Sequence, residues 1–191
     1  MKKILAVLLL LCLAAALCSC ATFSGPSGVA NRFMANLKTY DLEGAGKCLL
    51  NPDELDADKS ESNVFYDYYK DCAKKMKFKI VESTEDGDKG TVKVHVTYLD
   101  SGELFAEVYK EYLAKSLTSA LSGKKNENLL GDIFDEKKPD FPPKTAETDL
   151  IFNCTKKDGR WYVDKMPDGC TRVMTSGMTG LLGDLISSFW K

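Results

Sequence analysis

The chain has 191 residues, 44% of them hydrophobic and 28% charged, with a formal net charge of −2. That length is enough for one domain of ordinary size with its own core. The 26 basic and 28 acidic side chains are interspersed along the chain, which reads as a solvated surface and excludes the basic field of a nucleic-acid reader.

Lys2 and Lys3 precede an uncharged run from Ile4 to Leu17. A membrane span needs about 20 apolar residues, so this shorter run is expected to be a cleaved signal rather than an anchor helix. It ends in Leu17-Cys18-Ser19-Cys20, with Leu three residues before Cys20 and a small Ser just before it. This pattern resembles the cleavage box of bacterial lipoproteins. Cys18 fits it less well, because bulky Leu17 would precede the modified residue. The resemblance implies removal of residues 1–19, a diacylglyceryl thioether on Cys20, and an added acyl chain of the palmitate kind on its amine in many bacteria. One acyl chain holds a bilayer marginally, whereas two or more anchor stably. The implied location is the outer face of the cell membrane, with residues 20–26 as a short lipidated tether. Loss of Lys2 and Lys3 takes the net charge to about −4.

Of the seven cysteines, Cys12 and Cys18 leave with the signal and Cys20 carries lipid. Cys48, Cys72, Cys154 and Cys170 remain. An even number outside the membrane suggests two disulfides, with three ways of pairing them. No C-x-x-C pair exists and His95 is the single histidine, so a metal site would have to gather scattered thiolates and none is expected. Four free buried thiols are the remaining alternative.

Ser27 is placed to cap a helix running to about Tyr40, with Val29, Phe33 and Leu37 on one stripe beside Ala30 and Met34. Asp41 is placed to cap a second helix from Leu42 to Leu50, stopped by Asn51-Pro52 because a residue before proline avoids the helical region. Asp53 to Ser60 is acidic and reads as a loop. Asp56 and Asp58 match two positions of a calcium loop, but the required glycine does not follow. Ser62 to Met76 is predicted helical, with Phe65, Tyr69, Cys72 and Met76 on its buried stripe and Tyr68 alongside.

The period then changes to two. Lys77 to Glu82 and Thr91 to Leu99 are predicted strands joined by a loop over residues 83–90. In the second strand, Val92, Val94, Val96 and Tyr98 face the core, opposite Lys93, His95 and Thr97. Asp100 and Glu103 suggest a capping box for a long helix from Glu103 to Leu121. Its broad apolar face holds Leu104, Val108, Tyr112, Phe105, Tyr109 and Leu113, continued by Leu117, Ala120 and Leu121. Leu129, Leu130, Ile133 and Phe134 predict a short amphipathic helix, and Lys137 to Pro143 an irregular loop. Thr145 to Lys156 alternates again. Ala146, Thr148, Leu150, Phe152 and Cys154 share a face opposite Glu147, Asp149, Ile151 and Asn153. Asp158-Gly159 signals a type I′ hairpin into a return strand from Arg160 to Lys165, with Trp161 and Val163 on one face. Residues 171–191 form an amphipathic tail with Met174, Met178, Leu181, Leu182, Leu185 and Phe189 on one helical face.

Two stretches carry a second resemblance. Val29-Ala30-Asn31-Arg32-Phe33-Met34-Ala35-Asn36-Leu37-Lys38-Thr39-Tyr40-Asp41-Leu42-Glu43-Gly44-Ala45 looks like the first-helix pattern of nuclear-transport-factor-two-like domains, the cystatin-like and ketosteroid-isomerase-like kind. Asp158-Gly159-Arg160-Trp161-Tyr162-Val163 looks like their late hairpin. Many uncharacterised Gram-positive lipoproteins share both features. The resemblance implies an α+β fold over residues 27–170. N-terminal helices would pack on a curved antiparallel sheet to form a cone, with a helix between the strand pairs and a C-terminal helical tail. It also implies approach of Cys48 to Cys72 and of Cys154 to Cys170, the disulfide pairs expected on that basis.

Function is less legible. An isomerase-like enzyme would need an acid or base inside the cone. His95, Asp149 and Tyr98 are the candidates by position, but no catalytic motif is present. The expectation is therefore a noncatalytic, cofactor-free module that binds a small apolar ligand or an envelope peptide. The alternative is an envelope interaction protein that uses its tail.

Overall fold

The computed structural model describes residues 25–55, 64–122 and 126–180. The lipoprotein box at Cys20, the aspartates Asp56 and Asp58, and the tail beyond Gly180 lie outside the described residues.

Helix α1 spans Pro26–Thr39. Gly25, at φ 89°, is its N-cap, and Pro26 occupies the first turn, where its missing N–H costs nothing. The start is thus set by Gly25-Pro26 and not by a Ser27 cap. Val29, Ala30, Phe33, Met34 and Leu37 are buried, as the spacing predicts. Tyr40 closes the helix in the left-handed region at φ 59°.

Asp41 caps α2, Leu42–Gly46, by accepting the Gly44 N–H at 2.8 Å. This helix ends well short of the expected Leu50. Leu49 leaves it to form a parallel bridge with Val163. The Val163 N–H donates to the Cys48 carbonyl at 2.8 Å, and the Leu50 N–H to the Val163 carbonyl at 2.9 Å. A 3₁₀ turn follows at Pro52–Glu54. Helix α3, Tyr66–Lys74, buries Tyr69 and Cys72, with Phe65 and Met76 buried at its ends.

The sheet is open, four-stranded and antiparallel throughout, in the order β1 (Lys77–Asp86), β2 (Lys89–Asp100), β3 (Lys144–Lys157), β4 (Arg160–Val163). With its helices it gives the α+β architecture that the sequence predicts. The expected loop over residues 83–90 is instead a continued hairpin. Its turn is Gly87-Asp88 with Gly87 at φ 60°, the first-position glycine of a type II′ turn. Gly90 in β2 lets α1 approach: a Cβ there would collide with Pro26 Cγ and lie 2.8 Å from the Thr84 carbonyl oxygen.

One face of the sheet is core. Val92, Val94, Val96, Tyr98, Leu150, Phe152, Cys154 and Val163 are buried on it, and α1 lies across all four strands. Phe33 and Phe152 meet edge to face, with centroids 5.5 Å apart. The other face carries Lys93, His95, Glu147 and Asp149 toward solvent.

Helix α4, Gly102–Ser122, and α5, Leu129–Lys137, connect the strand pairs. Phe65, Tyr68, Tyr69, Phe105 and Phe134 form an aromatic cluster that joins α3, α4 and α5. The expected capping box does not form. Asp100 Oδ1 accepts the Gly102 N–H at 2.8 Å, but Glu103 reaches Lys144 of β3 instead of turning back. The outer half of the expected apolar face is also not core: Leu113, Leu117 and Leu121 are 62%, 67% and 87% exposed.

A short helix α6, Cys170–Met174, follows β4. Ser176 and Gly177, at φ 47° and 88°, then interrupt the chain before residues 178–180 turn helical again. The single helical face expected from Met174 onward is therefore broken. Met178 is buried, and its sulfur accepts the Tyr69 hydroxyl at 2.7 Å. No helix among the described residues is long and apolar enough to cross a membrane.

Candidate functional site

The sequence offers His95, Asp149 and Tyr98 as acid–base groups, and the structure brings two of them together. His95 and Asp149 face each other across β2 and β3 in register, with Nδ1 2.8 Å from Oδ1. Lys93 Nζ lies 2.8 Å from the other Asp149 oxygen, and Glu147 lies 3.6 Å from His95 Nε2. Lys93 and then His95 hold the Asp149 carboxyl below its usual range. This is a ladder of cross-strand charges on the solvated face of the sheet. Tyr98 is buried on the opposite face, and its hydroxyl donates to Asp100 at 3.3 Å. The three candidates therefore do not converge. Among the described residues, no group of three or more His, Cys, Asp or Glu is placed to hold a metal ion.

The four cysteines are buried and free, so neither expected disulfide is formed in the structure. Each thiol has different neighbours. Cys48 sits just past α2, where its sulfur donates to the Gly44 carbonyl at 3.6 Å and Arg32 lies beside it. Cys72 lies beside Tyr68 and Tyr69 on α3. Cys154 faces the core from β3, and Cys170 opens α6. Burial pushes the Cys154 and Cys170 thiols up to about 12. It also raises Cys48, with the Arg32 guanidinium opposing.

One cavity is a cleft of about 540 Å³, within the range of small-molecule sites. It forms where the start of α1 meets the β3–β4 hairpin. Gly25, Val29 and Arg32 come from α1 and its cap, and Lys47 and Cys48 from the segment after α2. Glu85 comes from β1, and Lys156, Gly159, Arg160, Trp161 and Tyr162 from the hairpin. Asp158 and Gly159, at φ 51° and 76°, make the predicted type I′ turn that sets Arg160 and Trp161 at the cleft. Four cations therefore line one opening in a chain that is acidic overall. The one carboxylate in the lining, Glu85, lies close to the start of α1: a Cβ at Gly25 would lie 2.9 Å from its Oε2. Lys47 pairs with Glu43 at 2.6 Å. Among the described residues no ion pair engages Arg32, Lys156 or Arg160.

A smaller cavity of about 240 Å³ lies at the other end of β2, between Asp100, Leu104, Phe141 and Lys144. The cationic cleft escaped the sequence reading because its charges come from segments far apart in the chain. Only the flank of the hairpin, Lys156-Lys157 and Arg160, signalled it.

No family model matches this chain, and no curated protein and no solved structure matches it.

Proposed function

We propose that this protein is a lipid-anchored extracytoplasmic binding module, noncatalytic, with the cone-like domain of the nuclear-transport-factor-two-like kind. The observation that carries this reading is where the cleft opens. Gly25 lines it, and five residues lead from Gly25 back to Cys20, at most about 17 Å of extended chain. A lipid on Cys20 would therefore hold the cleft close to the membrane. The polar, cationic lining favours a polar ligand over the apolar one expected from sequence. The placement of His95 and Asp149 on the solvated face, outside the cleft, supports binding over catalysis. The test is cell fractionation with intact mass. The wild-type chain is expected in the membrane fraction, cut before Cys20 and carrying a diacylglyceryl mass. Cys20→Ser is expected to lose both. A Cys20→Ser chain that stays with membranes through a carbonate wash sinks the anchor.

One observation favours the second reading, an envelope interaction protein. Leu113, Leu117 and Leu121 form an exposed apolar row on α4, the kind of surface that marks contact sites. Nothing among the described residues covers it, so it ranks behind the cleft. A concentration-dependent oligomer abolished by Leu117→Glu would move this reading ahead.

A further inference from the structure

The cleft's ligand class follows from its charges, and the argument rests on the binding-module reading. We infer that the cleft takes a phosphate ester, presented on the membrane surface to which Cys20 ties the chain.

Three features point the same way. First, Arg32, Lys156 and Arg160 line the opening without a carboxylate partner among the described residues. Uncommitted cations around one concavity lower the free energy of an anion there, and arginine forks match phosphate oxygens in pairs. Second, Trp161 and Tyr162 are half-buried at the same cleft. Such side chains, with an apolar body and a polar tip, suit the boundary between headgroups and acyl chains. Third, the tether is short. A chain held within about 17 Å of its lipid meets the anionic headgroups of its own membrane at a far higher local concentration than any free solute. An anionic leaflet would in turn draw these cations toward it.

Two cations on the opposite face of the sheet are neutralised locally. There Lys93 is held by Asp149 at 2.8 Å, and Lys144 is paired to Glu103 at the far end. Among the described residues, the cleft is where Arg32, Lys156 and Arg160 line one concavity without an ion pair. The one acid in its lining, Glu85, lies close to the start of α1.

Two sources could supply the ester, a phospholipid headgroup or a free phosphate ester, and one experiment separates them. The mature chain, residues 20–191, would carry Cys20→Ser so that no lipid is attached and only the protein surface reports. It holds every buried core residue among those described, which all lie between Val29 and Met178. Cosedimentation would be measured with vesicles of phosphatidylcholine alone and mixed with phosphatidylglycerol, with and without glycerol phosphate in solution. The expected result is salt-sensitive binding to the anionic vesicles only. Displacement by millimolar glycerol phosphate would show that the soluble ester suffices. Persistence in its presence would assign the site to the membrane-borne headgroup.

Replacing both Lys156 and Arg160 by Gln is expected to weaken vesicle binding about thirtyfold, from a factor of about five per cation near an anionic surface. Lys77→Gln with Lys79→Gln, exposed on β1 and outside the cleft lining, is expected to leave binding unchanged. Equal loss in the two pairs would make the attraction diffuse and overturn the proposal. Binding to neither vesicle, with no response to glycerol phosphate, would also overturn it. Because the chain tested has no lipid, neither result bears on whether Cys20 is the anchor.

Discussion

Buried thiols give the sharpest prediction. Cys48, Cys72, Cys154 and Cys170 are free, and Cys154 and Cys170 are 1% and 0% exposed. The perturbation is alkylation with excess iodoacetamide at pH 8, on chain 21–191 folded and in urea. The thiolate is the reacting species. A thiol held at about 12 is ionised only to about one part in ten thousand at pH 8, against roughly a quarter for an unperturbed cysteine near 8.5. Ionisation alone therefore slows Cys154 and Cys170 about a thousandfold or more, before steric exclusion is added. Cys48 borders the cleft and has Arg32 beside it to oppose the rise, so it should label first. The assay is intact mass against time, with peptide mapping for order. In urea without reductant, all four thiols should accept one adduct each. A chain lighter by two or four hydrogens that takes two or no adducts would show disulfides and refute the free-thiol arrangement. Native labelling of Cys154 as fast as in urea would refute its burial.

The remaining predictions concern the core, a close approach and acid stability. Phe152→Ala empties a fully buried position against Phe33 and should cost about 3–5 kcal/mol; a loss under about 1 kcal/mol in urea unfolding would mean that α1 is not packed on the sheet as described. Gly90→Ala forces a methyl onto Pro26 and the Thr84 carbonyl and should cost about 1–3 kcal/mol, whereas an unchanged melting temperature would separate α1 from the hairpin. Asp149 has its folded pKa depressed below 3.8 by Lys93 and His95. Its stabilisation is thus present above that value and lost as pH falls through the folded pKa. Asp149→Asn should flatten the acid limb of the stability curve below pH 3.8 and change little at neutral pH, because the ladder is solvated. A large loss at pH 7 would contradict that placement.

Much of this architecture is legible residue by residue. The alternation of Val92, Val94, Val96 and Tyr98 against Lys93, His95 and Thr97 assigns the two faces of β2, because one face must leave water and the other need not. Phe65, Tyr69, Cys72 and Met76 mark the buried stripe of α3 for the same reason at helical period. Asp41 and Asp158-Gly159 announce a cap and a turn through local chemistry alone.

What stays hidden depends on distant partners. The outer arm of the β1–β2 hairpin is polar on both faces, so it carries no period and reads as a loop. Helix α2 ends early because Leu49 finds Val163, more than a hundred residues away. The outer half of α4 has the pattern of a core helix, yet Leu113, Leu117 and Leu121 have no core to enter. The cleft is the extreme case: Arg32, Lys47 and Arg160 become neighbours only when α1, α2 and the last hairpin close on one another.

If Cys20 holds the cleft at a membrane, as proposed, Trp161 at the cleft reports on it directly. With Trp190→Phe, Trp161 is the only remaining tryptophan of the two in the chain. The lipidated protein would be reconstituted into phosphatidylglycerol vesicles containing lipids brominated high on the acyl chain. Quenching of Trp161 emission, relieved when Lys156 and Arg160 are both changed to Gln, is the result expected of a cleft seated on the headgroups. Emission unchanged by brominated lipid, in protein whose mass confirms acylation at Cys20, would contradict the account.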